Sequence, residues 1–457
     1  MNKKKIVLFV WSIWQFVLAL SCRPIQDDYG YLSSGANRGF STYLSDFWSS
    51  WGGNLAPSII RIPFYLPSIS GRSWVGLALF SLITGGFVFF SSIVISTWLT
   101  GRKLRENNLQ DFVLAFLTCL GFEGIFSPGV LAAFVFGPAS STHLLPICSL
   151  VMGLWLCTIT LESRASKVFV TVLIIFTGYI SGNSNVAESL AALSVSLILV
   201  VLFWIKQRLF FKLGFLDLWR VIVLNGSIIL GFVLIVVSPG FRNRANSGSG
   251  LPGGITELFT RFRSSFVSFT AEIFTHPMWM VVFLLAIIAF KSNRDLVIVR
   301  ERAAGLLLLT ISVYGSLIIG TTFAYAAWHQ SVGLLFLLTP AGIALAFFVS
   351  ELEKISKKIV SFSRPILVTL IIVIVVLSGR VTVLEVKQGQ DWDNNLSKNY
   401  CALVKDSKSQ LDGAEIKYPP IGLGIEDVNS WQWMRDDYSK WVLSPKFTRG
   451  IRCGVTP

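Results

Sequence analysis

Polar surface is what this sequence has least of. Only 14% of its 457 residues are Asp, Glu, Lys or Arg, against 53% hydrophobic residues, too little charge to coat a soluble globule or to keep a chain disordered. Cysteine is sparse as well, and six in this length exclude a disulfide-stapled secreted scaffold. Histidine is rarer still: there are three, and their spacing matches no metal-ligand motif. No resident metal or other cofactor is expected, and dependence on a divalent metal is left open. Acids are outnumbered 25 to 39 by Lys and Arg, for a net charge of +14. Excess base is how nucleic-acid binders neutralise phosphate, but 36 Phe, 15 Trp and a mean hydropathy of +0.65 argue for lipid instead, and no nucleic-acid partner is expected.

What the sequence does have is long apolar runs. A helix needs roughly 20 apolar residues to cross a bilayer, fewer when its ends are anchored. About eleven runs qualify: Ile6 to Leu20, Trp74 to Leu99, Phe112 to Phe126, Leu144 to Leu161, Val168 to Ile180, Leu190 to Ile205, Val221 to Val237, Met278 to Phe290, Ala303 to Phe323, Val332 to Phe348 and Pro365 to Leu377. The expected fold is an all-α polytopic membrane protein with its N-terminus inside. A transmembrane domain, 1–379, carries a long first outer loop, 21–73, and a small extracytoplasmic α+β tail, 380–457, follows it.

Charge sets the orientation. With Lys3, Lys4 and Lys5 inside, alternate crossing leaves the connectors Arg102 to Arg105, Arg164 to Lys167, Lys206 to Arg220, Lys291 to Arg302 and Lys354 to Arg364 on the cytoplasmic side. Those inner segments hold about 20 of the 39 Lys and Arg and about 8 of the 25 acids, as the positive-inside rule requires. They are too short to hold a nucleotide-binding domain, which argues against nucleotide chemistry at that face. The first run also fits a signal peptide or an imperfect lipobox, because Lys3 to Lys5 and Ala19-Leu20-Ser21-Cys22 flank it. Bulky Trp11 and Trp14 favour a retained anchor.

Ionisable groups are costly in a membrane, so their clustering at one side is a functional signal. They cluster outside. The first outer loop contains Asp27-Asp28-Tyr29, Arg38, Asp46, a Trp48/Trp51 pair, Gly52-Gly53-Asn54 and Arg61. Adjacent carboxylates oppose each other's ionisation, which suits one of them to act as a general base; capping and solvating a helix end is the plain alternative. A second constellation, Ser238-Pro239-Gly240-Phe241-Arg242-Asn243-Arg244, is expected to bend the backbone at Pro-Gly and to offer Arg242 and Arg244 to phosphate oxygens. The eight basic residues of the outer loops are all Arg, the side chain suited to oriented anion binding, although snorkelling toward lipid headgroups accounts equally for Arg261 and Arg263. Leu258, Phe262, Phe266, Phe269 and Ile273 recur at helical spacing, which reads as an interfacial helix or as packing against a neighbouring span. His143, His329, Asn183, Asn185 and Glu188 fall at outer span ends and are read as the polar lining of an outward cavity.

These features together resemble the GT-C class of integral-membrane glycosyltransferases, and most closely its bacterial glucosyltransferase-like group: a first helix ending in Asp-Asp-Tyr, a long first outer loop, an outward Ser-Pro-Gly-x-x-x-Arg segment and an outside tail. The resemblance implies that Asp27 or Asp28 is the catalytic carboxylate. It implies a sugar donor on polyprenyl phosphate, a glycan or lipid acceptor, and inverting transfer on the extracytoplasmic face of the cytoplasmic (inner) membrane, with membrane lipids as constant partners. Where the class often carries Gly-Arg after the aromatic stretch, this chain has Gly52-Gly53-Asn54. That departure shifts donor-phosphate contact to Arg61, Arg242 and Arg244, with Arg38 beside them. In the tail, Cys401 and Cys453 share the oxidising side, where a Cys401 to Cys453 disulfide and free thiols are both open. Two alternatives remain, a polysaccharide polymerase or ligase, and a transporter or flippase of lipid-linked sugars. The second would show internal repeats and mid-span charges that are not evident here.

Overall fold

The computed structural model describes residues 3–23, 31–34, 37–67, 75–99, 140–205, 217–246, 252–275 and 371–384, with a few single positions between and after them. Every element among them is helical. The helices are α1 (Lys3–Ser21), α2 (Phe40–Asp46), α3 (Leu55–Tyr65), α4 (Val75–Leu99), α5 (Leu145–Leu156), α6 (Arg164–Gly182), α7 (Val186–Ile205), α8 (Leu218–Val237), α9 (Pro239–Asn246), α10 (Ile255–Thr275) and α11 (Ile371–Leu384). Two single π-helical turns, Phe47–Trp51 and Ser140–Leu144, run into α3 and α5.

Four helices are long and apolar enough to cross a membrane: α1, α4, α6 and α8. Shorter apolar stretches at Ser141–Leu156, Val186–Ile198 and Ile371–Leu384 accompany them. Large hydrophobics stand exposed along α1, α6 and α8, among them Phe9, Phe169 and Leu230, which only a lipid surround tolerates in such number. The chain is therefore a helical membrane protein. The third, eighth, ninth and tenth expected spans lie largely or wholly outside the described residues, as does the expected tail beyond residue 390.

Local chemistry sets the helix ends. Ser163 opens α6 by accepting a hydrogen bond from Ser166 N at 3.1 Å, and Asp217 opens α8 by accepting one from Trp219 N, also at 3.1 Å. Buried Arg220 donates to Leu156 O at 3.3 Å and Ile159 O at 2.6 Å, so it caps carbonyls that α5 leaves without partners at its C-terminus. Asp217, 3.2 Å from Arg220, balances that charge.

Without a hydrophobic drive between helices in lipid, close backbone approach has to supply the packing. Gly178 and Gly182 on α6 meet Ser227, Leu224 and Ile228 on α8, and a Cβ at Gly182 would lie 2.1 Å from Ile228 O. Gly231 returns the contact against Gly182 and Asn183. The matches rise together in number, so α6 and α8 are parallel. Gly153 of α5 meets Thr177, and Ser181 donates to Pro146 O at 2.8 Å, so α5 is antiparallel to α6. Trp11 stacks at 4.5 Å on Phe89 while Gln15 lies against Gly85, which makes α1 antiparallel to α4. Trp14 Nε1 donates to Thr382 Oγ1 at 2.9 Å, and Gly389 abuts Ser21. The core of α5 to α8 is filled by Leu150, Leu154, Ile174, Val195, Leu224 and Ile228.

Between α1 and α4 lies the segment expected as the first outer loop. It folds into α2, a π-helical turn and α3. Gly39, at φ +84°, turns the chain into α2 in a conformation that glycine adopts without strain.

Candidate functional site

The described polar groups gather at the end of the bundle where α6 finishes and α8 turns into α9. Ser238 makes that corner. Its backbone is extended, and its hydroxyl accepts from Phe241 N at 3.1 Å, so it closes α8 and caps α9 with Pro239 in the first helical position. The Pro-Gly pair therefore starts an eight-residue helix instead of an open bend, a correction to the sequence reading. Proline at a helix start loses no hydrogen bond, and the Ser cap outweighs the turn tendency of Pro-Gly.

Helix α9 packs on the π-helical turn Phe47–Trp51, so the Ser238 segment and the Trp48/Trp51 part of the first outer segment are neighbours. Asn243 Nδ2 donates to Ser49 O at 3.0 Å. Gly53 is pressed into the Ser238 corner, where a Cβ would lie 2.6 Å from Ser238 Oγ and 2.7 Å from Ile235 Cα. Any larger residue at 53 would push the segment off α8. The Arg242 side chain is exposed on α9. Arg244 lies two residues further along the same helix, and its side chain is outside the description.

Asn183, fully buried, joins these parts. Its side-chain oxygen accepts from Ala56 N at 2.9 Å, and its amide donates to Gly53 O at 3.1 Å and Gly231 O at 3.0 Å. Three hydrogen bonds to backbone from one carboxamide make it a clamp between the first outer segment, α6 and α8. Asn185 accepts from Ala187 N at 3.2 Å at the start of α7.

Arg61 is buried on α3, with its guanidinium carbon 3.8 Å from the centre of the Tyr31 ring. It donates to Tyr31 Oη and to Ser58 Oγ, the latter at 3.2 Å. Tyr65, 5.9 Å from Tyr31 between ring centres, and Tyr43, at 4.8 Å, extend an aromatic wall around it. A cation held over a π-face in a desolvated setting is strongly oriented. Arg38 differs: it is exposed and pairs with Asp46 at 2.8 Å.

The π-helical turn Ser140–Leu144 packs against α3 and brings His143 to Glu188, in the first turn of α7. His143 Nδ1 and Glu188 Oε1 are 2.6 Å apart, both residues buried. The imidazole and the carboxyl thus share one short buried hydrogen bond. On α10, Glu257 accepts from Gly253 N at 2.5 Å and from Arg261 Nε at 2.9 Å. First the Gly253 amide and then the Arg261 guanidinium hold its carboxyl below the ordinary carboxylate range.

Asp27, Asp28, His329, Cys401 and Cys453 lie outside the described residues. Among the described residues, no group of three or more His, Cys, Asp or Glu side chains is gathered to hold a metal ion. Sequence reasoning missed the tyrosine wall around Arg61 and the small-residue seam of α6 and α8. The second was readable as Gly178-x-x-x-Gly182 in an apolar run. The first had no sequence signal, because Tyr31 and Arg61 are 30 residues apart.

Comparison with protein-family models finds no family that matches the chain, and comparison with curated proteins finds no matching relative.

Proposed function

We propose that the chain is a polytopic glycosyltransferase of the GT-C kind, with about eleven spans, that moves a sugar from a polyprenyl-phosphate donor to a cell-surface glycan or lipid acceptor on the extracytoplasmic face. The observation that supports this most is the docking of α9, which bears Arg242 and Arg244, on the first outer segment, which bears Arg61 and, by sequence, Asp27 and Asp28. Tyr31, whose ring covers the Arg61 guanidinium, follows Asp28 by three residues in sequence. The reaction needs a carboxylate to remove the acceptor hydroxyl's proton, the role proposed for Asp27 or Asp28, and guanidiniums to stabilise the departing lipid phosphate, the role proposed for Arg61, Arg242 and Arg244. The directions of α1, α4 and α11, and those of α5, α6 and α8, are within each set the ones that alternate crossing requires, and the bias of Lys and Arg in the sequence favours the Ser238 corner as outside. The tail, 380–457, belongs to the same reading as a small α+β domain on that side.

Removing a general base costs about 10²-fold to 10⁴-fold in rate. Asp27→Asn or Asp28→Asn, at wild-type protein levels, is expected to lower sugar incorporation into surface glycans by that factor. Wild-type incorporation in both variants would overturn the assignment of the base.

The buried His143–Glu188 pair favours a second reading, a polysaccharide polymerase or ligase that relies on outer Arg and His and not on the acidic pair. Under it, His143→Ala abolishes assembly of whole repeat units while Asp27→Asn and Asp28→Asn leave it intact.

A further inference from the structure

Helix α10 presents its faces in an order that packing within a protein does not explain. Ile255, Phe259, Phe262 and Phe266, spaced to form one stripe, are 76%, 68%, 45% and 44% exposed. Thr256, Thr260, Arg263, Ser264 and Ser268, on the flank beyond that stripe, are exposed too. The helix is held to the protein along a third side, where buried Arg261 is bound by Glu257 and Leu258 and Ser265 are half-buried. Near its far end, Thr270 hydrogen-bonds Tyr314 Oη and Phe266 meets the Tyr314 ring edge-on at 6.1 Å. The inward side thus lies one position away from the face the sequence pattern indicates. Leu258 turns toward the protein, and Phe259 joins the open stripe in its place.

With 21 residues, α10 is about 31 Å long, enough to cross a bilayer. Its charges at Glu257, Arg261, Arg263 and Glu272 bar it from the spanning set. Nine peptide steps separate Asn246 from Ile255, so α10 begins within about 30 Å of α9, and Tyr314, which holds its far end, lies six residues before Gly320, which abuts Ala187 at the Ser238 end of the bundle. An apolar stripe and a polar flank, both open, on a helix beside the end of a lipid-surrounded bundle define an element of the membrane boundary. Large hydrophobic residues are exposed on α1, α6 and α8 as well.

We infer that α10 lies along the leaflet at the Ser238 end, with Ile255, Phe259, Phe262 and Phe266 among the acyl chains and Thr256, Thr260, Arg263 and Ser264 at headgroup level. Glu257 makes this seating practicable by neutralising Arg261 on the protein side. The occupant of the stripe is phospholipid. The inference stands on the membrane character of the fold and is independent of sugar transfer.

Nitroxide labels test it in nanodiscs of phosphatidylcholine and phosphatidylglycerol, on full-length protein whose native cysteines are replaced. At 255, 259, 262 and 266 the label is expected to collide several-fold more with oxygen than with a water-soluble nickel chelate, as at position 169 on α6. At 256, 260 and 263 the preference reverses. Nickel preference along the stripe, or shielding of the stripe from both reagents, overturns the proposal, since the first means water and the second means protein. The unaltered chain gives an independent measurement: a phospholipid with a photoactivatable acyl chain is expected to cross-link within 255–266. Cross-links on α1 and α6 with none on 255–266 would likewise overturn it.

Discussion

At the scale of single residues, the strongest commitment is that of Asn183. Replacing it by Ala leaves Gly53 O, Gly231 O and Ala56 N without their partner in a buried place, where each orphaned group costs about 1–3 kcal/mol. Asn183→Ala is expected to lower stability by on the order of 3 kcal/mol, read as a large drop in melting temperature of the detergent-solubilised protein. Glu257 gives a pH signature. Its folded-state carboxyl titrates below the ordinary carboxylate range, so its contribution is present above that range and is lost as pH falls through and below it. Amide protection around residues 253–261, corrected for intrinsic exchange rates, should fall as the pH drops from about 6 to 3. Glu257→Gln should show low protection throughout that interval. Asn183, His143 and Glu188 were legible as polar residues flanking apolar runs, but what they touch was not. Their partners lie 45 to 130 residues away, and no local pattern encodes a contact across that distance.

At the scale of elements, the seam of α6 and α8 decides how closely two spans approach. Gly182→Ala drives a methyl into the Ile228 carbonyl, which belongs to a backbone that cannot swing aside, and overpacking of this sort costs about 1–3 kcal/mol or more. Gly226→Ala, on the same α8 but facing open space, should be neutral or stabilising by up to about 1 kcal/mol through helix propensity. Equal effects of the two substitutions on melting temperature would refute the close-contact account. Hydropathy made α1, α4 and α8 legible to within three residues at each end, because long apolar runs bounded by charge admit one reading. It overshot α5, expected to reach Leu161, because helix ends depend on capping: the chain turns at Cys157 and Thr158, and Arg220 from α8 takes up the last carbonyls. The helices inside the first outer loop were not legible for a related reason: they are held by Asn183 and by the Ser238 corner, contacts that no local pattern encodes.

At the scale of the whole molecule, orientation is the open quantity, and the distribution of basic residues supplies the expectation. Alkaline phosphatase, active only outside the cytoplasm, should be active when fused after residue 67 or 246 and inactive after 163 or 216. Activity in the opposite pairs would invert the protein and move the Ser238 corner, with Arg61 and Arg242, to the cytoplasmic side.

The Asn183 clamp also bears on how the protein is made. Asn183 follows Gly53 by 130 residues, and Gly231 follows Asn183 by a further 48. At about 5–20 residues per second, the first outer segment waits roughly 10–35 s after its own synthesis before its anchoring partners exist. Through that interval the segment is made but undocked, open to proteases and to mispairing until α6 and α8 arrive.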